Sequence, residues 1–193
     1  MRAPLLAAAL LHACSAGTPT STRPSSCTFI NSRALDLLKF SEGFVPLPAP
    51  DQVGAPTAGY GHQCRSPGCG EIAAWLPLTR QSAHQLLLRD IVPFARALAA
   101  DISADVLLND NQWGALVSWA YNVGSTGARE SALVHRLNRG EDPQAVIAAE
   151  LPAWDHVGQG QRLLGLTVRR AAEATLFNRP SALIAHPYCQ AAR

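Results

Sequence analysis

Ser41-Glu42-Gly43-Phe44, then Val45-Pro46-Leu47-Pro48-Ala49-Pro50-Asp51, then Gly54-Ala55-Pro56-Thr57-Ala58-Gly59-Tyr60-Gly61-His62 mark the place where this sequence changes character. Upstream, Ala34, Leu37, Leu38 and Ser41 recur at helical spacing behind Asn31 or Ser32 as N-cap, and Gly43 ends the helix. Downstream, residues 44–72 mix many Pro and Gly residues with short apolar stretches, which suits a small irregular sheet lobe. The remainder reads as helical. Thr79 caps a helix with Ala83, Leu86, Leu87, Ile91, Phe94 and Leu98 on its inward face, kinked or split by Pro93. Asn109 or Asp110 opens another, with Trp113, Leu116, Val117, Ala120 and Tyr121 on one face and Gly124 as its stop. Further helices are expected at about 130–138, at 143–150 behind Asp142-Pro143, and at about 165–178. The class is α+β, with a small β lobe beside a larger helical lobe and a cleft between them.

The chain has 193 residues, 48% apolar and 16% charged, which suits one compact domain and neither a disordered nor a membrane protein. A formal charge of +2 is too small to argue for nucleic acid, and Lys39 is the only lysine, so the basicity is arginine. A monomer with no nucleic-acid or membrane partner and no cofactor is expected. Residues 1–16 read as a signal peptide: Arg2, an apolar run from Leu5 to Leu11, and small residues at Ala13-Cys14-Ser15-Ala16. A buried first helix and a lipidated Cys14 are the alternatives, opposed by Pro4 with the following Ser/Thr/Pro tract and by His12, respectively. Residues 17–26 read as a flexible Ser/Thr/Pro arm, and residues 27–193 as the folded domain.

Removing the leader leaves four cysteines, an even set that suits secretion. Cys64 and Cys69 flank Arg65-Ser66-Pro67-Gly68, where Pro-Gly favours a turn that brings their sulfurs together. Cys27 and Cys189 are then paired by elimination, closing a long loop worth up to ~5 kcal/mol in the chain-entropy model. The competing use of His62, Cys64 and Cys69 is a zinc site, which lacks a second closely spaced ligand pair.

Glu42 and Asp51 carry the chemistry. Glycoside cleavage needs a protonated acid facing a carboxylate across the sugar. Glu42 stands at a helix C-terminus beside Phe40 and Phe44, surroundings that favour the protonated acid, whereas Asp51 on its wetter Pro/Gly loop is the carboxylate. The Thr57 hydroxyl can help Asp51 hold a water on the opposite face of the sugar. Gly59 and Gly61 permit close approach, with Tyr60 and His62 alternating across a strand.

Glu42, Asp51 and Thr57, with Thr57-Ala58-Gly59-Tyr60-Gly61-His62 closing the segment, resemble the active-site signature of the phage T4-type lysozymes, glycoside hydrolase family 24. Asn111-Gln112-Trp113-Gly114-Ala115-Leu116-Val117-Ser118-Trp119-Ala120-Tyr121-Asn122-Val123-Gly124 and Gly165-Leu166-Thr167-Val168-Arg169-Arg170-Ala171-Ala172-Glu173 are similar to two further stretches of that family. The likeness covers about residues 30–180, and the leader and cysteines resemble its secreted fungal branch. It implies a lysozyme-like fold and hydrolysis of the β-1,4 bond between N-acetylmuramic acid and N-acetylglucosamine in bacterial peptidoglycan. Glu42 would be the general acid, and Asp51 and Thr57 would activate water with inversion at the anomeric carbon. Tyr121 and Ser131 fall where members touch the glycan, against plainer roles as a core-edge aromatic and a helix-start serine. The proline-rich stretch 46–50 departs from the polar hairpin usual in phage members. Arg169 and Arg170 are expected to pair with Glu173. The rival functions are a glycan-binding protein without turnover and a hydrolase of chitin or chitosan.

Overall fold

A computed structural model describes residues 29–51, 54–158 and 160–187. The leader, the whole Ser/Thr/Pro arm, and Cys27 with Cys189 lie outside the described residues. Helix α1 (Ser32–Glu42) begins at Asn31, whose side chain accepts from the Ala34 amide and donates to Asp110 and Asn111 at 2.9 and 2.8 Å. Strands β1 (Val45–Pro50), β2 (Pro56–Gly59) and β3 (His62–Gln63) form an antiparallel sheet in the order β1-β2-β3. The three prolines of β1 lack N–H donors, and the strand accordingly takes an edge position with an irregular register between Val45 and Ala49.

A 3-10 segment (Pro67–Trp75) leads to α2 (Arg80–Asp101), where Thr79 and Ser82 form a capping box. Pro93 sits inside α2 without splitting it. After β4 (Leu108–Asn109), α3 runs from Asp110 to Arg129, with Asn109 and Gln112 forming its capping box. Gly124 (φ 84°) interrupts this helix, but helical turns resume to Arg129, so the expected stop is a break within it. Helices α4 (Ala132–Asn138) and α5 (Pro143–Glu150) follow, the latter capped by Asp142. A 3-10 turn (Leu151–Trp154) and a hairpin of β5 (His156–Val157) and β6 (Gln161–Arg162) lead to α6 (Leu164–Phe177). Strand β7 (Ile184–His186) returns to pair with β4.

Helix α3 is the axis of the core. Every residue from Trp113 to Ala120 is buried, so the helix is enclosed on all sides rather than amphipathic. Gly114 permits the closest crossing, since a Cβ there would stand 2.5 Å from the Ala34 Cβ. That contact and the Asn31 bonds seat α1 against α3, which fixes where Glu42 emerges. Among the described residues, no helix is long and apolar enough to cross a membrane.

Candidate active site

Glu42 is the last residue of α1, and Gly43 (φ 71°) turns the chain away while its amide donates to the Lys39 carbonyl at 3.1 Å. The surroundings of Glu42 differ from the apolar ones expected. Phe40 is 80% exposed, and the carboxylate meets a buried guanidinium: Arg169 Nη1 donates to Oε1 at 2.7 Å. Arg169 comes from α6, 127 positions along the chain. The other oxygen, Oε2, faces Gly61. A Cβ at Gly61 would lie 2.9 Å from Oε2 and 3.3 Å from the Tyr121 ring, and φ is +82° there, so space and backbone conformation both demand glycine.

Gly59-Tyr60-Gly61 forms the tight loop of the β2–β3 hairpin, not a continuous strand. Tyr60 and His62 are therefore both buried instead of alternating. Tyr121 holds this loop from α3, its hydroxyl donating to the Tyr60 carbonyl at 3.1 Å and its ring lying edge-on to Phe94. Burial pushes the Tyr121 phenol well above its usual range, so it remains a neutral donor.

Asp51 ends the β1 edge. Its Oδ1 accepts from the Ala55 amide at 2.8 Å, and its own amide donates to the Ala55 carbonyl, which folds the carboxylate-bearing loop back on itself. Thr57, half-buried on β2, donates from Oγ1 to the Ala49 carbonyl at 3.4 Å, a long bond that leaves the hydroxyl weakly committed. Glu42, Asp51, Thr57, Tyr121 and Arg169 all line one cleft of about 1570 Å³. Ser131 does not. It is 4% exposed and caps α4, donating to Ala128 at 2.6 Å and accepting from Val134 at 3.1 Å, so its hydroxyl is consumed by the backbone. The expectation of a glycan contact at Ser131 is corrected accordingly.

Behind Arg169 lies a buried ion cluster. Glu173, wholly inaccessible, accepts at Oε1 from Ser118, Arg169 and Arg170 at 2.8, 3.2 and 3.2 Å. Arg169 Nη2 also donates to the Ser118 carbonyl at 3.0 Å. The pairing of Arg169 and Arg170 with Glu173 is thus present, but as a core cluster that aims Arg169 at Glu42. The sequence showed the partners and the i,i+4 spacing without the burial or the reach to Glu42.

His62, a candidate zinc ligand by sequence, instead makes a second connection through two carboxylates. Its Nδ1 lies 2.8 Å from Asp90 Oδ2 and its Nε2 lies 3.3 Å from Glu71 Oε1. Cys64 and Cys69 form a disulfide, so their sulfurs are not zinc ligands. Closing so short a loop, at a sequence separation of 5, contributes about 2 kcal/mol in the chain-entropy account. Burial pushes the Asp90 carboxyl up against the opposing pull of His62. The Arg65 and Glu71 amides, aided by His62 and Ser66, hold the Glu71 carboxyl down at about 2, from an ordinary 4.5. A depressed carboxyl stabilises the fold above its unfolded value and loses that contribution as pH falls through its folded value. The stability advantage of the native chain over Glu71→Gln is therefore expected to be complete above pH 4.5 and to fade toward pH 2. Thermal unfolding of both proteins across that range checks this, and a gap that persists undiminished at pH 2 contradicts it.

A two-lobed α+β molecule with a carboxylic acid at the end of its first helix, and a second on a β-lobe loop of the same cleft, has the architecture of a lysozyme-type glycoside hydrolase. The phage lysozyme family profile matches residues 39–173. The chain belongs to that family, the T4-type lysozymes of glycoside hydrolase family 24. It is 32% identical over 151 residues to the endolysin of Acyrthosiphon pisum secondary endosymbiont phage 1, covering 77% of this chain and 97% of that one. It is 37% identical over 122 residues to the endolysin of Bacillus phage PZA, covering 63% of this chain but only 43% of that longer protein. Among solved structures, the muramidase domain of SpmX from Asticaccaulis excentricus superimposes with a TM-score of 0.67 at 28% identity, covering 79% of this chain and 99% of that one.

Proposed function

We propose that the protein is a secreted N-acetylmuramidase that hydrolyses the β-1,4 bond between N-acetylmuramic acid and N-acetylglucosamine in bacterial peptidoglycan, with inversion. The observation that carries this reading is the division of labour at Glu42: Arg169 holds Oε1 in place, while Oε2 faces the glycine gap at the hairpin. Glu42 delivers its proton from Oε2 to the glycosidic oxygen as the bond to the anomeric carbon breaks. Asp51, with the Thr57 hydroxyl, orients a water on the other face of the ring and accepts its proton as the oxygen attacks. Both carboxyls then exchange protons with solvent and return to their starting states. An inverting site of this kind has its carboxyls ~6.5–9.5 Å apart, with room for the water. The Cys64–Cys69 disulfide supports an oxidising, extracellular setting, and the small net charge argues against a nucleic-acid partner.

The test is an NMR time course of digestion, read before mutarotation. The α-anomer is expected as the first reducing end, and a first-formed β-anomer would overturn inversion. Comparing soluble products from peptidoglycan and from chitin decides the substrate. Release from chitin alone would overturn the muramidase reading.

A further inference from the structure

None of the residues given a part in the reaction above belongs to the β5–β6 hairpin, yet His156 and Val157 of that hairpin line the cleft. The hairpin is tied down by Asp155, a buried carboxylate just before β5. Thr167 of α6 donates to its Oδ2 at 2.9 Å, and Arg162 Nε of β6 lies 2.9 Å from the same oxygen. The Asp155 carbonyl accepts from the Leu163 amide, also at 2.9 Å. These three contacts already join both strands of the hairpin to α6. The second oxygen, Oδ1, accepts no hydrogen bond among the described residues, and His156 Nδ1 lies 2.7 Å from it. Burial pushes the Asp155 carboxyl up, but the Thr167 hydroxyl and the Arg162 and His156 charges outweigh it and hold the group below its ordinary range. A bare ring nitrogen so close to an ionised oxygen would set lone pair against lone pair, so the proton belongs on Nδ1. The His156 side chain is 38% exposed against 3% for Asp155, and its Nε2 has no partner among the described residues. The imidazole is thus held on its buried side and open on the other.

We propose that Asp155 and His156 form a dyad in which Asp155 orients the imidazole and His156 Nε2 hydrogen-bonds a sugar hydroxyl of the bound glycan. His156 is then a substrate-binding residue and Asp155 a positioning residue. A hydroxyl suits this nitrogen in both of its states, because it donates to Nε2 of the neutral ring and accepts from Nε2–H of the charged one. The inference rests on the muramidase reading for its substrate and adds a contact on a part of the wall remote in sequence from Asp51 and Thr57.

Kinetics and imidazole NMR test the two halves of the dyad. His156→Phe keeps a ring but no Nε2, and its KM on wall polymer is expected to rise about fivefold with kcat within about twofold of native. His156→Gln, whose amide can still meet a hydroxyl, should recover part of that loss. A KM unchanged in His156→Phe, or a loss confined to kcat, overturns the contact. The nitrogen spectrum of the native protein, taken above the range in which the imidazole titrates, should place the His156 proton on Nδ1. In Asp155→Asn the amide can turn its N–H toward Nδ1, and the proton should move to Nε2. A native ring protonated on Nε2 overturns the role of Asp155. The Glu42→Gln protein is then titrated with a soluble oligosaccharide of N-acetylglucosamine and N-acetylmuramic acid. A shift of the His156 Nε2 signal supports the contact, and none sinks it, whether or not His156→Phe folds. Native enzyme inert on wall polymer, with that shift still present, would overturn the muramidase reading and leave the dyad as a glycan-binding device.

Discussion

Glu42→Gln is expected to lower the rate of wall-polymer cleavage about a thousandfold while leaving the protein folded. Gln keeps the side-chain volume, and its amide oxygen can still accept from Arg169 in place of Oε1. It has no proton to give to a leaving oxygen. The loss should therefore fall on kcat, with binding to the wall retained, because the proton is needed in the transition state and not for docking. Clearing of a wall suspension by purified native and variant proteins, with circular dichroism on both, makes the measurement. Equal clearing would move the acid to another residue and remove the central element of the proposed mechanism.

Removal of Glu173 should cost the fold heavily. Its side chain is wholly buried and faces two guanidinium groups that are themselves almost inaccessible. Burial pushes the Glu173 carboxyl up and brings Arg170 down to about 10, the direction expected when charges are forced out of water and only partly compensated. In Glu173→Gln the shape and the Ser118 contact survive, but Arg169 and Arg170 lose their buried counterion. Breaking one side of a buried ion pair in this way costs roughly 3–5 kcal/mol, far more than loss of an exposed pair. Urea unfolding of native and variant proteins reads the difference. Activity should fall as well, because Arg169 is aimed at Glu42 through this cluster. A loss below about 1 kcal/mol with kcat intact would mean that the cluster neither holds the core nor positions the acid.

Much of the architecture was legible because its signals are local. Asn31, Thr79, Asn109 and Asp142 cap helices as side chains that reach amides two or three residues on, which needs no knowledge of the rest of the molecule. Gly124 shows the limit of such reasoning. Its left-handed conformation breaks the helix as expected, yet the chain re-enters helical turns through Arg129. Ser131 shows a different limit: a serine at a helix start reads alike whether its hydroxyl faces a ligand or closes a cap, and only burial separated the two.

By itself, then, the sequence determined the α+β order of elements, the position of Glu42 at a helix end, and the place of Asp51 and Thr57 in the β lobe. These follow from periodicity, capping and the punctuation of Pro and Gly over short spans. Tertiary structure alone decided what surrounds those residues. Packing of α1 and α6 around the buried α3 brings Arg169 to Glu42, and the hairpin places Gly61 against the same carboxylate. Contacts between residues so far apart in the chain depend on how helices cross in the core, and no local pattern encodes that.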